Sequence, residues 1–248
     1  MSLAKENEVE FHSFHWDNFN PKILEMHRKV MHHFNIDIQY TQKNIPHGQW
    51  LDEVLTNASC KVVAIIEPDL IPLNREIIDT AIDYVISEKS FLGCAQVSNH
   101  IAPANHIYAA PSFFFISVEC YKNLGSPSFK SIPSKADVAE NISYVAEQQG
   151  IRYRTLFPTC FEKEPQEGAW PLASYGYYGI GTVYSNSVYH LFQSRLQSNI
   201  ELFIKRCEDV LKNEFNTSNF IPSTTFDHIK NIVPLPQPRK KSFLSRIF

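Results

Sequence analysis

Two carboxylates, Glu67 and Asp69, flank Pro68 at the end of an apolar run, Lys61–Ile66. That run is largely β-branched and reads as a strand buried on both faces, as in a parallel sheet. Pro68 has no N–H to give a ladder, so the strand is expected to stop there. The acids then emerge where a buried strand meets the surface, the place where open α/β sheets bind ligands. A pair of carboxylates at such an edge suits a hard divalent cation, Mn²⁺ or Mg²⁺, carrying a phosphorylated ligand. A surface turn is the plainer alternative, since Pro-Asp is a common turn pair. Further along, Asp137 and Glu140 form a D-x-x-E pattern at a helix start. It resembles a capping box with Asp in the first position, and it also offers a carboxylate for proton transfer.

The elements around these residues alternate. Val9–Trp16 reads as a first strand, and Asn20-Pro21 starts a helix that runs to about Phe34, with Asn as cap and Pro at the first helical position. Ile36–Tyr40 is a short strand. The loop Ile45-Pro46-His47-Gly48 leads into a helix over QWLDEVLTNA. After the acidic pair, Asn74 caps a helix over REIIDTAIDYVISE, and Phe91–Val97 is another strand. Strand–helix alternation predicts a parallel, right-handed, open sheet. Residues 99–110 read as irregular, Pro111–Val118 as an apolar strand, and Asp137–Gln149 as a helix ending at Gly150. Tyr153–Phe157 reads as a strand, Phe161–Tyr178 as a long loop, and about Val188 to Asn213 as a helix. The expected organisation is one domain over residues 1–225, with a nucleotide-binding half (9–98), an acceptor-side half (99–213) and a Pro-rich, basic tail (226–248).

Taken in order, several segments resemble nucleotide-sugar glycosyltransferases of the GT-A fold. They are the IPHGQWLDEVL loop and helix, the strand ending in Glu67-Pro68-Asp69 with IPL after it, DVAENISYVAEQQGIRY, and GTVYSNSVYHLFQSR. The resemblance spans roughly residues 9 to 196. It implies a three-layer α/β/α, mostly parallel open sheet in which 67–69 acts as an Asp-x-Asp-type motif. Asp69 is then the metal ligand, Glu67 a second ligand or a ribose contact, and His190 the residue that completes the metal shell. Asp137 or Glu140 is the acceptor's base. The implied partners are a nucleotide-diphosphate sugar and a glycan or other hydroxyl acceptor. The chain departs from the pattern in having Glu at the first acidic position, and in the offset of the 137–140 acids from the usual spacing.

Other residues take lesser roles. Arg195 is placed to fork to a diphosphate, or else lies on a solvated helix face. His47-Gly48 fits a donor contact, because Gly lets a backbone approach a ligand, or an ordinary turn. Trp170, Tyr175, Tyr177 and Tyr178 fit a sugar-stacking platform or loop packing. His100 and His106 read as loop residues. The net charge of −3 gives no basic field for nucleic acid. The five cysteines are scattered without a CxxC pair, which predicts buried free thiols in a reducing compartment. A polar, acidic start and the lack of a long apolar run predict a cytoplasmic protein. The tail Arg239–Phe248, RKKSFLSRIF, fits peripheral contact with an anionic membrane, a solubilising tail or a partner-docking segment. A non-catalytic nucleotide- or glycan-binding module is the alternative function. A nucleotidyltransferase ranks lower, because WDNFNPK after the first strand is neither Gly-rich nor strongly basic.

Overall fold

The computed structural model describes residues 8–98 and 105–223 and the backbone of 229–231. The central sheet is built from β1 (Val9–His15), β2 (Ile38–Gln42), β3 (Val62–Ile66), β5 (Phe91–Val97), β6 (Ile107–Ser117), β7 (Arg154–Leu156) and β14 (Ile229–Asn231). Its spatial order is β14-β7-β5-β6-β3-β1-β2. Strands β2, β1 and β3 are mutually parallel, as are β5 and β7. Only β6 and the edge strand β14 run the other way. The fold class is therefore α/β with a mostly parallel central sheet.

β3 explains the apolar run that organises the chain. Val62, Ala64 and Ile66 face one layer, packing with helices α1 (Pro21–His33), α3 (Glu76–Ser87) and α6 (Gln197–Leu211). Val63 and Ile65 face the other, packing with α2 (His47–Asn57), α4 (Val118–Asn123) and α5 (Glu140–Gln149). All five residues of β3 are fully buried, so neither face of the strand tolerates a polar side chain. β3 lies parallel to β1 but antiparallel to β6, so it is not purely a parallel-sheet strand. The α1 start follows its sequence signals, with Pro21 opening the helix and the Asn20 side chain accepting from Lys22 N–H at 2.9 Å. The Asn74 side chain likewise accepts from Ile77 N–H at 3.0 Å ahead of α3.

A second, antiparallel sheet crosses the carboxyl edge in the order β13-β8-β11-β12-β4. It comprises β4 (Leu70–Pro72), β8 (Pro158–Lys163), β11 (Ile180–Tyr184), β12 (Val188–His190) and β13 (Ile221–Pro222). The short pair β9 (Trp170–Pro171) and β10 (Tyr177–Tyr178) stands beside it. Here the structure corrects the sequence reading. The stretch 161–178 is not one loop, and Val188–His190 is a strand, with α6 starting only at Gln197. These strands are two to six residues long, too short to leave a readable period, and apart from the hairpins β9–β10 and β11–β12 they pair with segments distant in the chain. β6 starts at Ile107, earlier than Pro111. Pro111 is accommodated where the β5–β6 register shifts, between the pairs Cys94–Ala110 and Gly93–Phe114. The helix read from Asp137 begins at Glu140, because Ala139 adopts a left-handed conformation, φ 65°.

All five cysteines are free. No helix among the described residues is long and apolar enough to cross a membrane. His100 and the tail Arg239–Phe248 lie outside the described residues.

Candidate metal and transfer site

The acidic pair is placed by a turn. β3 ends at Ile66, and one further ladder bond runs from Glu67 N–H to the Ser112 carbonyl at 2.8 Å. Leu70 N–H then closes back on the Glu67 carbonyl at 3.0 Å, with Pro68 at the second position of the turn, where its fixed φ fits. The chain leaves this turn as β4, which pairs antiparallel with β12 in the register Leu70–His190. Leu191 N–H also bonds the Asp69 carbonyl at 3.0 Å. This pairing sets His190 over the acidic turn. Its Nε2 lies 3.7 Å from Asp69 Oδ1 and 3.9 Å from Glu67 Oε2. Glu67, Asp69 and His190 each offer a ligand atom within 4.8 Å of one another.

The electrostatics of the cluster follow from its burial. Burial pushes the Glu67 carboxyl up to about 8, and the neighbouring Asp69 charge adds to the rise. Burial pulls the His190 imidazole down to about 4, with the Asp69 charge opposing it, so the ring is neutral at pH 7. Neither carboxylate has a Lys or Arg ion pair among the described residues. Crowded, recessed acids beside a neutral imidazole form an oxygen-rich donor set that fits Mn²⁺ or Mg²⁺, and a dication relieves the repulsion between them. The Nδ1 of His190 is buried without a hydrogen-bond partner, so its Nε2 alone faces the acids.

Two cavities meet at this cluster. The larger, about 580 Å³, holds Phe14, Trp16, Phe19, His47 and Arg195 as well as Glu67 and Asp69. The smaller, about 270 Å³, joins the acidic pair and His190 to Gln96, Tyr108 and Asp137. Glu67 and Asp69 thus form the wall that the two share. His47 reaches Glu67 with Nδ1 at 3.6 Å, and its ring stacks against Phe14 at 5.6 Å and Trp50 at 5.7 Å. Burial lowers its pKa to about 4. Arg195 borders the larger cavity from the turn before α6 and not from a helix face.

Other expected residues fall elsewhere. Gly48 is buried in α2, and a Cβ there would stand 2.6 Å from the Phe129 carbonyl oxygen, so its smallness serves helix packing. Trp170 packs on Tyr178 and Phe192, each at 5.5 Å, and Tyr177 is 51 % exposed; neither borders the two cavities. Tyr175 tilts onto Phe157 at 5.4 Å. Asp137 lines the smaller cavity, whereas Glu140 is 1 % exposed and turned inward. Trp16, Phe19, Gln96 and Tyr108 were not singled out from sequence. The alternation of β1 was the available signal for Trp16, and nothing local marked the others. His106 is a loop residue, as expected, just ahead of β6, and it contacts both Glu140 and Glu147.

Fold and site together define an α/β protein with an acidic, metal-compatible centre at the carboxyl edge of its main sheet. No protein-family model matches the sequence, and no curated protein sequence matches it. Several solved structures align with it at low identity. A protein assigned as a glucose-1-phosphate thymidylyltransferase from Bacillus anthracis, in complex with sucrose, is 9% identical with a TM-score of 0.44, over 81% of this chain and 96% of that one. A CMP:2-keto-3-deoxy-manno-octonic acid synthetase complexed with CTP is 12% identical with a TM-score of 0.36, over 60% and 89%. A glycosyltransferase involved in glycosylation of the major capsid of PBCV-1 is 13% identical with a TM-score of 0.31, over 50% and 70%. At these identities and scores the chemistry of this chain has to be argued from its own residues.

Proposed function

We propose that this protein is a metal-dependent glycosyltransferase of the GT-A type, moving a sugar from a nucleotide diphosphate to a hydroxyl acceptor. The observation that carries the reading is the convergence of Glu67, Asp69 and His190 on the wall between two cavities. Asp69, His190 and Glu67 would hold Mn²⁺ or Mg²⁺, which when bound supplies charge to offset the developing diphosphate. The larger cavity has aromatic walls at Phe14, Trp16 and Phe19 for a nucleobase and a guanidinium at Arg195 for phosphate. The smaller cavity receives the acceptor, with Asp137 as the carboxylate that takes the hydroxyl proton. Glu67 and Asp69 line both cavities, so the sugar end of the donor and the acceptor hydroxyl would meet beside the acidic pair, as a direct transfer requires. A cytoplasmic location, and membrane contact through the basic tail, belong to the same proposal.

A thermal-shift panel tests it. Uridine, guanosine, cytidine and thymidine diphosphates are added with and without Mn²⁺. A ligand bound to the folded state raises the melting temperature, and at about 100 times its dissociation constant the gain is about 2.7 kcal/mol. One nucleotide should shift the protein strongly, and only with metal. Shifts that ignore the metal would instead favour the non-catalytic binding module.

A further inference from the structure

The geometry points to the pair of half-buried His106 and buried Glu140 as the device that positions Asp137 at the rim of the smaller cavity. This rests on the reading of Asp137 as the acceptor's base. The sequence leaves both Asp137 and Glu140 possible, Asp137 ahead; their surroundings separate them. Both Glu140 oxygens are occupied inside the protein. Oε1 lies 2.7 Å from His106 Nδ1, and Oε2 accepts the Asp137 N–H at 2.7 Å. With the residue 1 % exposed, Glu140 has no route to a substrate. It grips instead the backbone of the residue that does face the cavity.

The turn it grips needs holding. Ala139 sits at φ 65°, a left-handed conformation that a residue with a Cβ rarely adopts. Three bonds fix it: Glu140 Oε2 to Asp137 N–H, Glu140 N–H to the Asp137 carbonyl at 3.1 Å, and Ala139 N–H to the Phe129 carbonyl at 2.9 Å. The Asp137 side chain then accepts from Val138 N–H at 2.7 Å, and Tyr108 O–H approaches its other oxygen at 3.4 Å.

His106 supplies the opposite charge. Its Nε2 lies 3.1 Å from Glu147 Oε1, so each ring nitrogen faces a carboxylate, which only accepts. Both nitrogens must therefore carry hydrogen, and the ring is an imidazolium. Tyr144 stacks on it at 3.9 Å, Tyr108 lies beyond at 6.4 Å, and Tyr153 O–H donates to Glu147 at 2.7 Å. A buried carboxylate without such a partner tends to protonate or to drag its loop toward water. His106 anchors Glu140 through Oε1, and Glu140 in turn holds the Asp137 backbone through Oε2. Both act through Asp137 and neither touches substrate.

The test combines kinetics with magnetic resonance. Mn²⁺-loaded protein is assayed for hydrolysis of uridine, guanosine and thymidine diphosphosugars. Glu140→Ala should lower kcat roughly 10- to 100-fold with KM within about twofold, since a small misplacement suffices for that loss. Glu140→Gln should return kcat to within about fivefold of wild type, because its amide oxygen still accepts from Asp137 N–H. Wild-type kcat in Glu140→Ala overturns the proposal. So does a Glu140→Gln protein as inactive as Asp137→Asn, which would make Glu140 the proton acceptor itself. Long-range ¹H–¹⁵N spectra of the wild type decide independently of folding defects and of turnover: His106 should carry hydrogen on both nitrogens at neutral pH, and the Asp137 amide should be protected from exchange. A neutral ring, or a fast-exchanging Asp137 amide, overturns it. If wild-type protein hydrolyses no donor, the transferase reading fails, while the spectra still decide whether Asp137 is positioned this way.

Discussion

His106→Gln gives a stability prediction whose size and pH window both follow from the site. In the folded protein burial alone would lower the His106 pKa, but hydrogen bonds and charge from Glu140 and Glu147 outweigh it and hold it up to about 9. A folded-state value above the unfolded one stabilises the protein fully below the unfolded value, and that stability is lost as pH rises through the folded value. The rise from about 6.5 to about 9 is worth about 3 kcal/mol at 1.36 kcal/mol per decade, trimmed toward ~2 because the side chain keeps 19 % of its surface. His106→Gln keeps a donor but not the charge. It should therefore be less stable than wild type by about 2–3 kcal/mol near pH 6, or roughly 5–10 °C in Tm for a chain of this length. Near pH 9.5 the wild type has lost the same contribution, and the gap should shrink below about 1 kcal/mol. Burial pushes Glu67 upward into the same window, but that group is common to both proteins and cancels in the difference. Glu147, whose hydrogen bonds from His106 and Tyr153 outweigh the effect of burial, is held below the usual carboxylate range and titrates outside the window. The tyrosines Tyr108, Tyr144 and Tyr153 are raised by burial and the nearby acids, also outside it. Urea unfolding at several pH values measures the gap. A gap that stays constant across the range, or is under about 0.5 kcal/mol near pH 6, refutes the imidazolium assignment.

Three further outcomes are expected. Asp69→Asn removes a ligand charge at nearly constant size, and should abolish the Mn²⁺-dependent part of the nucleotide thermal shift; an unaltered shift would remove Asp69 from the metal role. Trp16→Ala strips an aromatic wall from the larger cavity and should weaken nucleotide diphosphate binding about tenfold by calorimetry, in line with about 1–3 kcal/mol for one base on one ring. Gly48→Ala should lower stability by about 1–3 kcal/mol in urea without changing nucleotide affinity, since its Cβ would collide with the Phe129 and Lys130 backbone and not with a ligand.

Much of the first half was legible because its signals are local. The cap and proline at Asn20-Pro21, the apolar run before Pro68, and the alternation of strand and helix are each set within a few residues. The second half was not. Pro158–Lys163 pairs with 180–184 and 221–222, and Val188–His190 adds Leu70–Pro72 to its hairpin with 180–184; three to six residues each, these strands carry no clear period of their own. The D-x-x-E pattern is local, and the capping-box bond from Asp137 N–H to Glu140 Oε2 forms; that Asp137 then faces a cavity is not contained in it.

From composition and order alone, the chain commits Val62–Ile66 to a doubly covered strand and sends Glu67 and Asp69 out at its end, because an all-apolar segment must be buried and a proline must break the ladder. Tertiary structure alone decides that Leu70 pairs with His190, that Asp137 looks into a cavity while Glu140 turns inward, and that His106 bridges two acids. The Leu70–His190 pairing and the two bridges from His106 join segments far apart in the chain, and even the local Glu140–Asp137 contact takes its orientation from His106 and from the cavity around it.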